Sequence, residues 1–512
     1  MTHDRAQTVA HVLDLWAARA PERLALVGRS GRFSYGELDA ASNRAANQLA
    51  ALGVRPGDRV AACLPNDVDI VIAFLGTAKL GAIWVGISKP LAAPEKAYCL
   101  RDSGARVILA PADVLESLAA QRDSLPELAH ALEVSPGTFG RNGDQTRPAL
   151  DLAAHAPAAI AYTSGTTGFP KGAVHSHHNL LLPGAVAAAS GTYGPELRQG
   201  VLLPLTILNL MVLGPLVAFQ DGSALVCIDR IDAEGVADWV RREHVGHFAA
   251  VPTILYDLLT HTGVRREDLA SLRRPEVGGA ECPEEFRALY RERFGNEVTI
   301  GYGMTEAPTA VTRSDGSAAP RPGLCGKALP QIEIRILDEK DQPVPQGELG
   351  EICVAPASGG PWAGVYTPML GYWNQPGETE KALRGGVYHS GDLGFIDERG
   401  DLYIRGRRNE LILRGGANVY PAEVERVLAE HPAVAASAVL GRPDTRLGQR
   451  VVAAVQLAPG ASAGAEQLAA FARERLARYK VPEEIVLVAA LPRNAMGKVV
   501  KRELEPLFER AP

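Results

Sequence analysis

Apolar positions recur along the first part of the chain with two different periods, and the switches between them mark the elements. Over residues 34–54, Leu38, Ala41, Ala45, Leu49 and Leu52 fall near helical spacing and Gly53 follows as a stop, so a helix is predicted there. DRVAACLP (58–65) is a short apolar run of the kind that forms a buried strand. DIVIAFLGTAKLGA (69–82) predicts a second helix, and AIWVGI and ARVILA (105–110) predict two more strands. Strands alternating with helices predict an α/β protein with mainly parallel sheets flanked by helices.

The pattern weakens over 123–150, where Pro, Gly and polar residues predict a surface excursion. EIRILDE (333–339) and GELGEICVA (347–355) are strand-like runs broken by Pro and Gly, which predict a β-rich subdomain. A further break falls at RGRRN (405–409). Beyond it come a strand (LILRG), a helix from Pro421, strands at 435–440 and 451–457, a helix at 465–478 and a strand near 484–489. That tail is long enough to be a domain. The expected organisation is a large multi-subdomain N-terminal domain, 1–407, and a small α+β C-terminal domain, 408–512.

Val201 to Phe219 carries no charge and approaches the length of a membrane span. Pro204, Asn209, Gly214 and Pro215 interrupt it, so a buried core segment is expected and no membrane span. The N-terminal stretch lacks the uninterrupted apolar region of a signal peptide. Six scattered cysteines, none in a C-x-x-C pair, fit reduced thiols and a cytoplasmic location better than a disulfide framework or a zinc site. With 53 Lys and Arg against 59 Asp and Glu, the net charge is −6, without the basic footprint of a nucleic-acid binder.

The most informative segment is 160–181. A strand end at Ala161-Tyr162-Thr163 leads into Ser164-Gly165-Thr166-Thr167-Gly168-Phe169-Pro170-Lys171-Gly172. Three glycines let backbone N–H groups approach phosphate oxygens, the hydroxyls add donors, and Lys171 adds a point charge. This is chemistry for a polyphosphate. It is not a Walker A loop, because Pro170 stands where that motif needs glycine. Five further segments accompany it: Val277-Gly278-Gly279-Ala280-Glu281, Gly301-Tyr302-Gly303-Met304-Thr305-Glu306, Tyr388-His389-Ser390-Gly391-Asp392-Leu393, Ile404-Arg405-Gly406-Arg407, and Pro492-Arg493-Asn494-Ala495-Met496-Gly497-Lys498.

Together, and in this order, these segments resemble the adenylate-forming superfamily of acyl- and aryl-CoA synthetases, peptide-synthetase adenylation domains and firefly luciferase. The resemblance spans essentially the whole chain and implies roles. Thr163, Ser164, Gly165, Thr166, Thr167, Gly168 and Lys171 would cradle the phosphates of ATP. Gly279, Ala280 and Glu281, with Gly301, Tyr302 and Gly303, would line the adenine and acyl sites, Tyr302 stacking on adenine. Thr305 would meet the α-phosphate and Glu306 would hold Mg²⁺, a hard cation suited to carboxylate and phosphate oxygens. Asp392 would accept the ribose hydroxyls, with Ile404 and Arg407 nearby. Lys498 would bridge the carboxylate and α-phosphate.

The implied reaction has two halves: a carboxylic acid and ATP give acyl-AMP and pyrophosphate, then the thiol of CoA displaces AMP. In the family the C-terminal domain rotates between them, and Gly415 and Gly416 would then border the thiol tunnel. Asn409 stands at the hinge where the family usually has Asp or Lys, and Thr206-Ile207 replace an aromatic–His pair that often gates the acid. No acid at this region offers a partner for an α-ammonium, so an α-amino acid is not expected. The pocket should draw on Asn209, Val251 to Tyr256 and Gly278 to Gly303, mostly apolar or small, which predicts a hydrophobic acid. His177 matches a family position; His175 and His178 have no assigned role, and no zinc site is expected from them. Alternatives are loading of a separate carrier protein's phosphopantetheine and a luciferase-like oxygenase. A homodimer is one expected assembly.

Overall fold

The computed structural model describes residues 6–163, 170–279, 282, 284–307, 309–314, 321–414, 417–444, 447–476, 478–494 and 497–508. The chain forms two units, Met1–Ile334 with Cys353–His389, and Arg335–Ile352 with Ser390–Pro512.

In the first unit the predicted helix runs over Tyr35–Ala51. It starts where a capping box satisfies two backbone donors: the Ser34 hydroxyl accepts from the Glu37 N–H, and Glu37 accepts from the Ser34 N–H at 2.8 Å. Its Leu38, Ala41, Ala45 and Leu49 are fully buried. The next helix, Val68–Lys79, is capped by Asp67 and buried all round. Gly76 lets the two approach: a Cβ there would sit 2.6 Å from Ala45 Cβ.

These helices flank a sheet whose strand order is Gly371–Tyr372, Lys171–Ser176, Pro157–Thr163, Ile83–Gly86, Arg59–Ala62, Ala105–Ala110 and His130–Glu133. Its last five strands run parallel. The strand His130–Glu133 lies inside the segment expected to be a surface excursion. It pairs with Ala105–Ala110, and pairing rather than intrinsic pattern makes it a strand. A second run of strands in this unit is ordered Leu324–Ala328, Thr309–Arg313, Thr299–Met304, Arg274–Val277, Val245–Ala250, Arg198–Val201, Ala224–Cys227, Leu24–Gly28 and Gly31–Ser34. Its middle is parallel, and antiparallel pairs close both ends.

The uncharged stretch 201–219 is core. It breaks into a helix Leu208–Met211, one π-helical turn Val212–Leu216 that absorbs Pro215, and a helix Val217–Asp221. No described helix is long and apolar enough to cross a membrane.

In the second unit, Ala417–Val419, Ile412–Arg414, Gly448–Leu457 and Val434–Asp444 form a sheet in that order, and Glu484–Val488 pairs parallel to Gly448–Leu457. The helices Pro421–Ala429 and Ala465–Arg473 cover it through Val424, Leu428, Leu468 and Ala472. The strand Leu402–Arg407 pairs antiparallel with Leu393 and its neighbours, and a single 3-10 turn, Arg408–Glu410, follows.

Candidate functional site

In the first unit the phosphate-type loop joins two antiparallel strands, Pro157–Thr163 and Lys171–Ser176, with Thr163 directly opposite Lys171. Ser164, Gly165, Thr166, Thr167 and Gly168 lie outside the described residues, but both ends of the loop are fixed. The Tyr98 hydroxyl donates to the Pro170 carbonyl at 3.1 Å. The two-residue strand Gly371–Tyr372 pairs with Val174 and Ala173, which brings Tyr372 beside the loop.

Glu306 follows the strand Thr299–Met304, and its carbonyl accepts from the Met369 N–H at 2.9 Å. Its Oε1 accepts from the Tyr372 hydroxyl at 3.0 Å and from the Thr163 hydroxyl at 3.4 Å. Oε2 has no partner among the described residues. A carboxylate held by one oxygen with the other open is the donor a hard divalent cation requires, so this residue fits Mg²⁺. Burial and the Glu306 carboxylate raise the Tyr372 hydroxyl pKa, which keeps it a donor.

Lys171 forms an ion pair with Glu378 and sits 5.2 Å from the centre of the Tyr372 ring. The hydrogen bonds from Lys171 and then Lys381 pull the Glu378 carboxyl down to about 2. Neither Tyr372 nor Glu378 belongs to a motif. They sit in GYWNQPGE, 66 and 207 residues from the groups they touch, and no local pattern announces them.

Gly279 has φ +79°, a left-handed conformation that favours glycine, while Ala280 and Glu281 lie outside the described residues. Tyr302 is buried, Gly303 is exposed, and the register slips between them. Thr305 is half-buried at the strand's end. Gly301 has a carboxylate beside it: a Cβ there would lie 2.6 Å from Glu276 Oε1. That stretch of the expected apolar pocket is therefore polar. The segment with Thr206 is clamped by Asn66, which donates to Leu203 O and accepts from Leu205 N, both at 2.8 Å. The Thr206 backbone packs tightly on Gly86.

The histidines after the loop are structural in their contacts. His177 Nδ1 accepts from the Val9 N–H at 3.3 Å, and His178 Nε2 lies 2.8 Å from Val365 O. His175 is fully buried, and burial lowers its pKa to about 4.

In the second unit Asp392 and Arg407 are directly opposed across a strand pair, with Arg407 Nε 3.0 Å from Asp392 Oδ1. Ile404 is on the same strand as Arg407, opposite Gly394. The Ser390 hydroxyl accepts from the Asp392 N–H at 3.0 Å. Lys498 sits at the foot of a tight turn. Asn494 Oδ1 accepts the Lys498 N–H at 3.0 Å, the Asn494 N–H donates to Lys498 O at 2.8 Å, and Gly497 takes φ +76°. Desolvation, then the Arg407 guanidinium, lowers the Lys498 pKa, and Glu410 and Asp392 oppose them. Gly415 and Gly416 lie outside the described residues; the strands on either side pair, Arg414 opposite Ala417.

Two family models match the chain. The family described as AMP-binding enzyme matches residues 13–373, and the AMP-binding enzyme C-terminal domain matches 423–498. The chain is 34% identical over 485 residues to the long-chain-fatty-acid–CoA ligase FadD13 of Mycobacterium tuberculosis, covering 93% of each. It is 32% identical to the fatty acid–[acyl-carrier-protein] ligase ScoC of Streptomyces coeruleorubidus, over 99% of this chain and 97% of that one. Among solved structures, the anthranilate CoA ligase AuaEII in complex with anthranoyl-AMP superposes with a TM-score of 0.88 at 27% identity, covering 98% of this chain and 97% of that one. A loop-bearing strand pair held to Glu306, a lysine turn near the chain's end and matches over both regions lead to one conclusion: the chain belongs to the AMP-binding enzymes, in the acyl/aryl-CoA synthetase branch of the adenylate-forming superfamily.

Proposed function

We propose that the protein is an ATP-dependent carboxylic acid–CoA ligase that works through an acyl-adenylate. The observation that carries this reading is Glu306, fixed through one oxygen by Tyr372 and Thr163 at the edge of the phosphate-type loop while the other oxygen stays available. In the first half-reaction a carboxylate oxygen of the acid attacks the α-phosphorus of ATP. The bond to the β-phosphate breaks, and pyrophosphate leaves. Negative charge grows on the α-phosphate oxygens, and fixed positive groups aimed at that charge supply the largest share of the rate. Lys498 and Lys171 fill that role, with Thr305 donating to the same phosphate. Lys171 exchanges Glu378 for phosphate oxygens when ATP arrives. Mg²⁺, when bound, supplies positive charge at the triphosphate, and Glu306 would hold it. Asp392 accepts from the ribose hydroxyls, with Arg407 opposite it and Ile404 alongside.

In the second half-reaction the CoA sulfur attacks the acyl carbon, the carbon–oxygen bond to AMP breaks, and the thiol proton is released. Residues 408–512 act as the mobile domain, turning at Arg407–Asn409 between the steps, with Gly415 and Gly416 beside the incoming thiol. Similarity to ScoC favours a second reading, in which the acceptor is the phosphopantetheine of a separate carrier protein. Pyrophosphate release measured over a panel of carboxylic acids, with and without CoA, separates them. Acid-dependent release stimulated by CoA supports the ligase. Acid-dependent release indifferent to CoA supports the carrier-protein reading, and release independent of every acid overturns both.

A further inference from the structure

The sheet face that carries Gly301 leads to a buried charged cluster. Successive side chains of a strand point to opposite faces. Ile300 and Val277 turn into an apolar cluster with Phe248 and Tyr290, so Glu276 and Gly301 share the other face. Register extends that face: Ala249 is opposite Glu276, and Arg313 is opposite Gly301. His247, two residues before Ala249, joins it.

On this face Glu276 Oε2 lies 2.9 Å from Arg313 Nε, the glutamate side chain being 8% exposed. Arg313 Nη2 donates to the Tyr193 hydroxyl at 3.1 Å, and the Tyr193 and His247 rings lie 4.8 Å apart. His247 Nδ1 is 2.6 Å from the Arg274 carbonyl oxygen. A carbonyl only accepts, so Nδ1 carries the proton and Nε2 is left as an acceptor. Burial holds this imidazole neutral by lowering its pKa to about 4. Glu276 Oε1 is the second unused acceptor: it has no hydrogen-bond partner among the described residues and faces the side that Gly301 leaves bare. A carboxylate oxygen open on this side forms a strong, charge-assisted hydrogen bond with a ligand that supplies the donor.

We propose that Glu276, reached over Gly301, accepts a hydrogen bond from a hydroxyl or amino group of the acid remote from its carboxylate, so that the enzyme selects donor-bearing acids over their plain counterparts. This rests on the reading of Gly278 to Gly303 as the acyl wall. The group recognised is a neutral or cationic donor on an otherwise apolar body. The arrangement reads a donor because Arg313, the cation of the cluster, is turned to Glu276 and Tyr193.

The test compares kcat/KM for matched acids by pyrophosphate release: 4-hydroxycinnamate against cinnamate, 3-aminobenzoate against benzoate, and 12-hydroxydodecanoate against dodecanoate. The donor-bearing member of at least one pair should be preferred by about 10- to 100-fold, the range of a hydrogen bond to a charged group. Glu276→Gln should cut that ratio at least about tenfold, chiefly through KM. A purely structural glutamate would slow both members alike and leave the ratio standing. Gly301→Ala provides an independent variant, since its Cβ pushes the carboxylate aside without removing the charge; it carries the test if thermal melting shows Glu276→Gln unfolded. A ratio near one in the wild-type enzyme for every pair, or a ratio unchanged in a folded variant, overturns the proposal. Turnover of plain acids without preference overturns it alone, whereas no acid-dependent release from any acid removes the ligase reading as well.

Discussion

The two regions that carry the expected chemistry are built by opposite means. Around Glu306 the partners come from far apart in the chain: Thr163 is 143 residues away and Tyr372 is 66. At Lys498 the backbone is fixed by a neighbour, since Asn494 makes the turn from four residues away, while Arg407, Glu410 and Asp392 act on its charge. The first arrangement exists only when a sheet is assembled, and its rigidity is that of the sheet. The second is a local device that needs no sheet to hold it. Contacts drawn from distant strands give a preorganised arrangement, and a turn closed by neighbouring residues keeps its shape by itself.

The sharpest way to break this comparison is Lys498→Ala. It should lower pyrophosphate release by about 100- to 1000-fold, the range for one lost charge-stabilising group. The melting temperature should stay within about 2 °C, because no buried contact is lost. A parallel loss of ATP affinity, measured by calorimetry, would instead make the lysine a binding group. Next, Glu306→Gln should cost about 100-fold in adenylation, and Tyr372→Phe about three- to tenfold, as one hydrogen bond is removed. The double mutant should be no worse than Glu306→Gln alone, because the tyrosine acts through the carboxylate. Additive losses would separate the two residues.

Asn494→Ala probes the local device. Removing its 3.0 Å acceptor from the Lys498 N–H should slow adenylation by about threefold to tenfold with unfolding unchanged. Unchanged pyrophosphate release would show that the lysine needs no such turn. The mildest test uses pH. His175, His177 and His247 belong to the first unit, and burial lowers each to about 4. Unfolded histidine titrates near 6.5, so the unfolded chain binds more protons between those values. Their stabilising neutrality is fully present above pH ~6.5 and is lost as pH falls towards 4, by up to about 1.4 kcal/mol per pH unit for each. Melting followed from pH 7 to pH 4.5 should therefore weaken the first unit ahead of the second. His177→Gln should flatten part of that slope, and a pH-independent first transition would contradict the burial.

What was legible follows the same division. The helices over 34–54 and 69–82 appear as Tyr35–Ala51 and Val68–Lys79, because capping residues and helical spacing are local. The strand His130–Glu133 was not legible, since its apolar content is too low to be a strand without Ala105–Ala110 beside it. The glycine-rich loop, the Glu306 segment and the Lys498 turn carry their chemistry as contiguous strings. Glu378 and Glu276 do not: each is an ordinary carboxylate until folding sets Lys171 or Gly301 against it.

The family, the alternating α/β architecture and the order of the motifs are written in local stretches of the chain, because each rests on residues close enough to constrain one another. Only the tertiary structure decided that Tyr372 would hold Glu306 and that Glu378 would hold Lys171. It also decided that the space above Gly301 would belong to a carboxylate rather than to an apolar wall. The physical reason is that strand register, not sequence proximity, sets which side chains share a face. A single residue of slip would have turned Glu276 into the apolar cluster and left nothing behind Gly301.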